Sequence, residues 1–198
     1  KLALSWSCLA RVDMVDSGIL KKMKLAGCWQ ISFGIESGCQ EILNSVNKNI
    51  SLDKVERAVE LTRKSGIKTL GYFMIGFPGE AEETVYRTTK FAKRLGLDNF
   101  KMQFLTPYPG SLLYERAQEY GHFDKLNWDK MNTDTEPCFI PFSLSKSQMI
   151  YLQKRAFREF YFRPRIIYSY LKMFRRPEHF IKLYLGIIAF LKFLSSKK

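Results

Sequence analysis

Carboxylate, glycine and proline residues stand at the ends of three apolar runs in this 198-residue chain. The runs end in residues 32–38 (SFGIESG), 73–80 (FMIGFPGE) and 106–110 (TPYPG). Each phrase places Gly, Pro or a single carboxylate where a buried strand would emerge. In a parallel β/α protein these strand ends open on one face, and that face carries the chemistry. The three phrases therefore predict part of an enzyme barrel.

Glu36 is the lone carboxylate at the mouth of the second predicted strand. A carboxylate there can accept hydrogen bonds from the hydroxyl or ammonium groups of a ligand. Gly34 and Gly38 flank it, and glycine allows a ligand to approach the backbone closely. The alternative is that Glu36 caps the following helix or pairs with a lysine. The two glycines favour the ligand-binding interpretation.

Three further charged residues are candidates for a site. Arg11 and Asp13 follow the first predicted strand on the same face, where they could bind substrate or cofactor, or pair with each other. Lys48 lies in the loop after the helix that follows Glu36. It could bind a carboxylate or remain solvated, and the sequence leaves these alternatives open.

Two turns rich in Gly and Pro follow the later strands. Residues 76–80 lead into a predicted helix, so their amides could face an anion or the edge of an adenine. A structural role is equally typical of such a turn. Glu80, Glu82 and Glu83 are expected in the first turn of that helix, where the helix dipole favours carboxylates. Tyr108 in the second turn could line a pocket or cover the end of the barrel.

Other kinds of chemistry find little support in the sequence. No two of the four cysteines, Cys8, Cys28, Cys39 and Cys138, lie within four residues of each other, so no zinc, CxxC or local iron–sulfur motif is present. Reduced, mostly buried thiols are expected, not a disulfide scaffold. His122 and His179 are isolated and are assigned no metal or acid–base role. The chain contains no P-loop, no GxGxxG and no signal peptide at its start.

The elements that must position these residues form a βα repeat. Strands are predicted to begin near residues 2, 29, 67 and 99, at a spacing typical of a parallel sheet with right-handed crossovers. We expect residues 1–122 to form the barrel part, 123–145 a connecting loop and 146–198 a helical extension divided by two prolines. Trp128 and Phe139 are expected to pin the loop, which in composition spans residues 120–142, to the core.

The positive charge lies in the last quarter of the chain. The net charge is +13, of which residues 1–145 contribute +2 and residues 146–198 contribute +11. The extension could be a basic amphipathic helix at a membrane surface. It could instead pack on the barrel or on a further domain with its lysines directed outward. RNA binding is disfavoured because no recognition motif accompanies the charge. Residues 183–194 are too few and too charged for a transmembrane helix.

Taken together, these strand-end motifs and several neighbouring segments resemble a known protein family. The matching segments are residues 6–13 (WSCLARVD), 26–28, 33–38, Lys48, 66–67, 74–80 and 107–110. In order and spacing they resemble the latter half of a radical S-adenosylmethionine (SAM) core. They are most similar to the class with an N-terminal cobalamin-binding domain, which includes the anaerobic magnesium-protoporphyrin ester cyclase type. The resemblance covers about residues 4–115.

The resemblance implies a fold and a set of site residues. The fold would be α/β, a partial (β/α)6 TIM-like barrel in which strands three to six are present. Glu36 would contact the ribose or ammonium of SAM, Arg11, Ser37 and Lys48 would assist, and Ile75 and Gly76 would lie against the adenine.

The resemblance also implies cofactors and partners. The family cleaves the SAM sulfonium with an electron from a [4Fe–4S] cluster, giving a 5′-deoxyadenosyl radical. Cobalamin, an electron donor such as flavodoxin or ferredoxin, and a small-molecule or lipid-like substrate are implied, for methylation or oxidative rearrangement of an unreactive carbon. The protein would be cytoplasmic, with residues 164–198 available for contact with the inner membrane surface.

This sequence departs from the family pattern in one respect. The three-cysteine CxxxCxxC loop and the cobalamin domain are absent, and we expect both to lie before Lys1 of a longer protein. The fragment alone would then neither hold the cluster nor turn over. Two alternatives remain: a non-catalytic binding or membrane-associated protein on a relic of this barrel, and a β/α barrel enzyme that does not use SAM.

Overall fold

Four parallel strands form the centre of the computed structural model, which describes residues 3–123, 131, 133–134, 136–171 and 177–195. They are β1 (Trp6–Ala10), β2 (Cys28–Glu36), β3 (Lys68–Ile75) and β4 (Asn99–Phe104), hydrogen-bonded in the order β1-β2-β3-β4. All three pairings are parallel. The predicted βα repeat is therefore confirmed, although β1 begins four residues later than the apolar pattern indicated.

Helices connect the strands and extend beyond them. They are α1 (Ser17–Leu25), α2 (Gln40–Ser45), α3 (Leu52–Lys64), α4 (Glu82–Arg94), α5 (Leu112–Tyr120), α6 (Lys146–Tyr161), α7 (Pro164–Leu171) and α8 (Pro177–Ser195). A short 3-10 turn spans Val12–Met14. The Ser51 hydroxyl accepts a hydrogen bond from Lys54 N, and Ser145 forms a capping box with Gln148. The sequence predicts both starts, from Ser51 as a cap and from the capping-box form of residues 145–148, and both are confirmed. Each cap satisfies a backbone N–H that the helix leaves free.

The two faces of the sheet differ in polarity because side chains alternate along each strand. One face carries fully buried residues such as Phe33, Phe73 and Phe100, which pack with helix residues in a single core. The opposite face, here called the open face, carries side chains that are only partly buried or exposed. It includes Ser7, Leu9, Gln30, Tyr72, Lys101 and Gln103.

The two edges of the sheet are also unlike. Along β4, the Tyr161 hydroxyl donates to Phe100 O and accepts from Phe100 N. Gln153 Nε2 donates to Met102 O, and Phe104 N donates to Thr133 O. The backbone groups of this edge are thus bound by side chains and by a loop. Among the described residues, no strand pairs with the outer edge of β1.

The segment 120–142 is not wholly a loop, which corrects the prediction. Residues Gly121–Phe123 and Phe139–Pro141 form a short antiparallel pair, β5 and β6. Three-residue strands leave almost no periodic signal, so their pairing depends on burial of Phe123 and Phe139 in a second core cluster. Phe139 is fully buried as predicted. Trp128 lies outside the described residues.

The first helix of the basic extension shares the main core. Met149, Leu152, Ala156 and Phe160 of α6 are buried there. Pro164 and Pro177 begin α7 and α8, as expected for a residue favoured in the first helical turn. The domain boundary before residue 146 stays a prediction, since α6 packs directly on the sheet. Within the described part of the chain, no helix is long and apolar enough to cross a membrane.

Candidate active site

The carboxyl ends of the four strands meet at one edge of the sheet. The register pairs Ala10 with Phe33, Glu36 with Phe73 and Ile75 with Phe104. The residues after each strand therefore come together, as parallel strands require. Five of the six predicted site residues lie in or directly after strands at this edge: Arg11, Glu36, Ser37, Ile75 and Gly76.

Glu36 and Lys48 form an ion pair at this edge. Lys48 Nζ lies 2.7 Å from Glu36 Oε1, and the two side chains are 26% and 20% exposed. The lysine is thus bound to the carboxylate and not simply solvated, and the lysine-pairing alternative for Glu36 describes the observed geometry. The pair leaves both groups partly accessible, so each retains capacity for a further partner.

The backbone at Glu36 is unusual. Its φ is 69°, in the left-handed region that residues other than glycine seldom adopt. The register between β2 and β3 also shifts between Gly34 and Glu36. This bulge turns the Glu36 carboxylate towards Lys48. Strained backbone of this kind is concentrated at functional sites in proteins.

Gly34 leaves open space beside the ion pair. A Cβ added at Gly34 would lie 2.9 Å from Glu36 Oε1 and 3.6 Å from Lys48 Nζ. Any larger residue would therefore crowd the carboxylate. Gly38, on the other side, has a different reason to be glycine: an added Cβ would lie 2.6 Å from Phe91 Cβ and 2.8 Å from Thr88 Cα. It allows α4 to pack closely on the end of β2.

Ser37 is buried behind the edge. Its hydroxyl lies 3.1 Å from Thr88 Oγ1 and accepts a hydrogen bond from Cys39 N. Thr88 Oγ1 also accepts from Gly38 N. Ser37 therefore fixes the turn after β2 to α4. Thr88 was missed in the sequence; the available signal was a hydroxyl on the apolar face of an amphipathic helix.

Arg11 directly follows β1 and pairs with Asp13. Its guanidinium makes two hydrogen bonds to Asp13, at 3.0 and 2.9 Å. The hydrogen bonds from Arg11 lower the pKa of the Asp13 carboxyl. The structure thus shows the mutual pairing that the sequence had left as one of two alternatives.

The turn after β3 is organised by an internal carboxylate. Glu80 is fully buried, and its Oε2 accepts from Gly76 N at 2.7 Å and Phe77 N at 3.3 Å. Helix α4 begins only at Glu82, so Glu80 is not in its first turn as predicted. Burial raises the pKa of Glu80 to about 7 against the opposing effect of the two amides. The anion that these amides bind is therefore supplied by the chain itself.

Ile75 and Gly76 lie directly before that carboxylate. Ile75 is fully buried in the main core. Gly76 has a φ of 108°, and an added Cβ would lie 2.7 Å from Met149 Cε. The positive φ of this turn therefore favours glycine, and the Met149 side chain occupies the space that a Cβ would need. Tyr108, in the turn after β4, is 51% exposed.

Of the four cysteines, only Cys8 and Cys28 lie close together. Cys8 and Cys28 lie on β1 and β2, whereas Cys39 donates to Glu41 Oε2 at 2.8 Å and Cys138 lies near Thr106. Burial raises the pKa of the Cys39 thiol. In the described ranges, no group of three or more potential metal ligands converges.

A family model and two curated relatives all point to the same superfamily. Residues 6–92 match the model of the radical SAM superfamily. An uncharacterized methyltransferase of Pyrococcus horikoshii is 36% identical over 166 residues, which cover 84% of this chain and 36% of that protein. The anaerobic magnesium-protoporphyrin IX monomethyl ester cyclase of Rubrivivax gelatinosus is 28% identical over 163 residues, covering 81% of this chain and 29% of the cyclase.

A solved structure shares the α/β fold. It is the radical SAM methyltransferase TsrM from Kitasatospora setae, with cobalamin and a [4Fe–4S] cluster bound. The TM-score is 0.52 at 23% identity, over 59% of this chain and 22% of TsrM. This chain spans about a third of the length of the two curated relatives. The match of residues 6–92 and the similarity to these relatives confirm the predicted resemblance to the radical SAM superfamily.

Proposed function

We propose that this chain supplies part of the SAM-binding site of a radical SAM enzyme of the cobalamin-dependent type. The enzyme would methylate or oxidatively rearrange an unreactive carbon of a small-molecule or lipid-like substrate. The observation that carries the proposal is the Glu36–Lys48 pair at the carboxyl edge of a parallel sheet whose sequence matches the superfamily.

The pair fits the amino-acid end of SAM chemically. That end carries an ammonium and a carboxylate, and the pair presents a carboxylate and an ammonium that are both partly exposed. Gly34 leaves the carboxylate uncrowded. Glu36 would bind the ammonium or the ribose hydroxyls, and Lys48 would bind the carboxylate. Charge-assisted hydrogen bonds of this kind contribute about 1.5–3 kcal/mol each.

The other predicted site residues would act at the same edge. Gly76, with its fixed turn, would let adenine lie against the backbone, and Ile75 would support that turn from the core. Ser37 would hold the loop after Glu36 in place through Thr88. Arg11 would contribute if its bond to Asp13 opened.

The iron–sulfur cluster does not fit the residues described. Its ligands must be converging thiolates, and of the four cysteines only Cys8 and Cys28 lie close together, whereas Cys39 lies just before α2 and Cys138 just before β6. When bound, the cluster supplies the electron that cleaves the sulfonium. We therefore place its ligands, and the cobalamin site, outside this chain, and assign this chain the role of binding and orienting SAM.

The unlike edges of the sheet support a partial, open (β/α)6 barrel. The edge of β4 is bound by Tyr161, Gln153 and Thr133, which leaves no place for another strand. The edge of β1 is the side at which further βα units would add. The open face would then line the barrel interior.

Iron and sulfide analysis of the native polypeptide tests the proposal. The polypeptide would be purified anaerobically, its intact mass measured and its cluster reconstituted. We expect a mass larger than that of this chain, a three-cysteine loop in the added sequence, and iron and sulfide at the ratio of a [4Fe–4S] cluster. A native polypeptide without such a loop and without bound iron would overturn the catalytic proposal.

A second candidate function is association with a membrane surface from the cytoplasmic side. The observation in its favour is that Tyr184, Leu185 and Leu191 of α8 are half or more exposed within a segment of net charge +11. Such a combination is typical of interfacial helices. Co-sedimentation with anionic liposomes tests it: a Leu185→Ser/Leu191→Ser variant should bind less than the wild type, and equal binding would contradict it.

A further inference from the structure

Three arginines gather at the carboxyl end of α4, where the chain leads into the start of β4. This is the edge of the sheet opposite to the carboxyl edge that carries the Glu36–Lys48 pair. They come from separate parts of the chain: Arg63 from the last turn of α3, and Arg163 and Arg165 from the start of α7. Arg163 donates to Phe160 O through Nε and to Lys93 O through Nη1, while Arg165 donates to Gly96 O. The cluster is thus built around the carbonyls that end α4.

Gly96 allows two of these guanidinium groups to meet. It has a φ of 70°, and a Cβ added there would lie 2.6 Å from an Nη atom of Arg63 and 2.8 Å from one of Arg165. Two nitrogens within 3 Å of one point are close neighbours. Like charges this near repel each other unless an anion lies between them or solvent screens them.

Carboxylates balance the charge of the cluster only weakly: Glu60 is paired with Lys64, and the charge of Arg63 makes a smaller contribution to lowering the pKa of that carboxyl. None of the ion pairs formed by the described residues includes Arg63, Arg163 or Arg165. Asp98, two residues after Gly96, accepts hydrogen bonds from Thr69 N and Oγ1 instead. The α4 carbonyls supply only partial negative charge.

Arg163 provides a separate indication. One of its terminal nitrogens is buried without a hydrogen-bond partner among the described residues. Burial, with a smaller contribution from the charge of Arg165, lowers the pKa of this guanidinium. A buried, unpaired donor is costly, and such groups in native proteins commonly bind an ion or water.

We propose that Arg63, Arg163 and Arg165 form a binding site for a phosphate-type oxyanion. Guanidinium groups match phosphate oxygens geometrically, and two or three around one point are typical of phosphate recognition. The phosphate group could be free or could belong to the headgroup of an anionic lipid. Phe162, Ile167 and Tyr168 beside the cluster are exposed apolar side chains that suit an interfacial position.

Phosphate binding at constant ionic strength tests the site. The full chain would be titrated with inorganic phosphate while chloride is withdrawn to keep the ionic strength constant. The shift in melting temperature and the heat of binding would be measured. A ligand that binds the folded state raises its stability. We expect Arg63→Gln and Arg165→Gln each to weaken phosphate binding about tenfold or more, as loss of one charged hydrogen bond implies.

Arg57→Gln is the matched control. Arg57 is an exposed arginine on the same helix as Arg63, so the substitution removes the same charge outside the cluster. Its phosphate affinity should equal that of the wild type. The Arg63 guanidinium makes no hydrogen bond to another described residue, so Arg63→Gln remains interpretable even if Arg165→Gln unfolds. Absent phosphate binding, or equal weakening in Arg57→Gln and Arg63→Gln, would overturn the site.

Vesicles separate the two sources of the phosphate. The four proteins would be sedimented with phosphatidylcholine vesicles, with and without phosphatidic acid. Loss of binding in Arg63→Gln and Arg165→Gln but not in Arg57→Gln assigns the site to a lipid headgroup. Equal sedimentation of all four, together with the variant-specific loss of inorganic phosphate binding, assigns it to a free phosphate group.

Discussion

At the residue scale, two acids at one edge of the sheet are held in contrasting environments. Glu36 is partly exposed and paired with Lys48, so its carboxylate is available to a charged ligand. Glu80 is fully buried in the turn after β3, with one oxygen bound by two amides and the other without a partner among the described residues. The first suits binding, and the second suits shaping the turn.

Glu80 should make stability depend on pH. Its pKa is raised to about 7 from 4.5, so the folded state holds a proton that the unfolded state releases. The stabilisation is complete below pH about 4.5 and is lost as the pH rises through about 7, which amounts to roughly 3 kcal/mol. Glu80→Gln should remove this decline. Urea unfolding of both proteins between pH 4.5 and 8 measures it.

Glu83→Gln is the control for that experiment, because Glu83 is exposed and the substitution changes the same charge. It should retain the decline of the wild type. Parallel pH profiles for the wild type and Glu80→Gln would show that the buried carboxyl does not titrate in this range.

At the element scale, the close packing of α4 on the end of β2 depends on Gly38. A Cβ there would overlap Thr88 and Phe91, so Gly38→Ala should lower the free energy of unfolding by about 1–3 kcal/mol. Gly186→Ala is the matched control, since Gly186 lies in α8 with nothing within 4 Å of an added Cβ. It should be neutral or slightly stabilising. Equal losses in the two variants would contradict this reading of the packing.

The protected edge of β4 depends on Tyr161. Its hydroxyl binds both Phe100 N and Phe100 O, and burial raises the pKa of this phenol to about 12. Tyr161→Phe would leave both backbone groups without that partner and should cost about 1–3 kcal/mol of unfolding free energy. Tyr151→Phe, at an exposed position on the same helix, should cost little. Denaturant titration compares them.

At the scale of the whole molecule, local patterns predicted the order of elements well. The apolar runs, the caps at Ser51 and Ser145 and the helix-starting prolines correspond to observed strands and helices. The β5–β6 pair was missed because its strands are three residues long and depend on distant partners. The fold of Glu80 back onto Gly76 was missed for the same reason: burial decided it, not helix propensity.

The candidate site was predicted only in part. The Glu36 position at a strand end followed from its flanking glycines, but pairing with Lys48 depends on a bulge and a left-handed residue that no local pattern reveals. The arginine cluster joins α3 and α7, a hundred residues apart along the chain. Such contacts emerge only when the elements are packed together.

The central claim is that the carboxyl edge around Glu36 binds SAM. Anaerobic equilibrium dialysis of SAM against the wild type, Glu36→Gln and Glu83→Gln tests it most directly. We predict binding by the wild type, unchanged binding by Glu83→Gln and a loss of about tenfold or more in Glu36→Gln, because a charged hydrogen-bond partner is removed. No binding by the wild type, or equal binding by Glu36→Gln, would contradict the account and favour a barrel that does not use SAM.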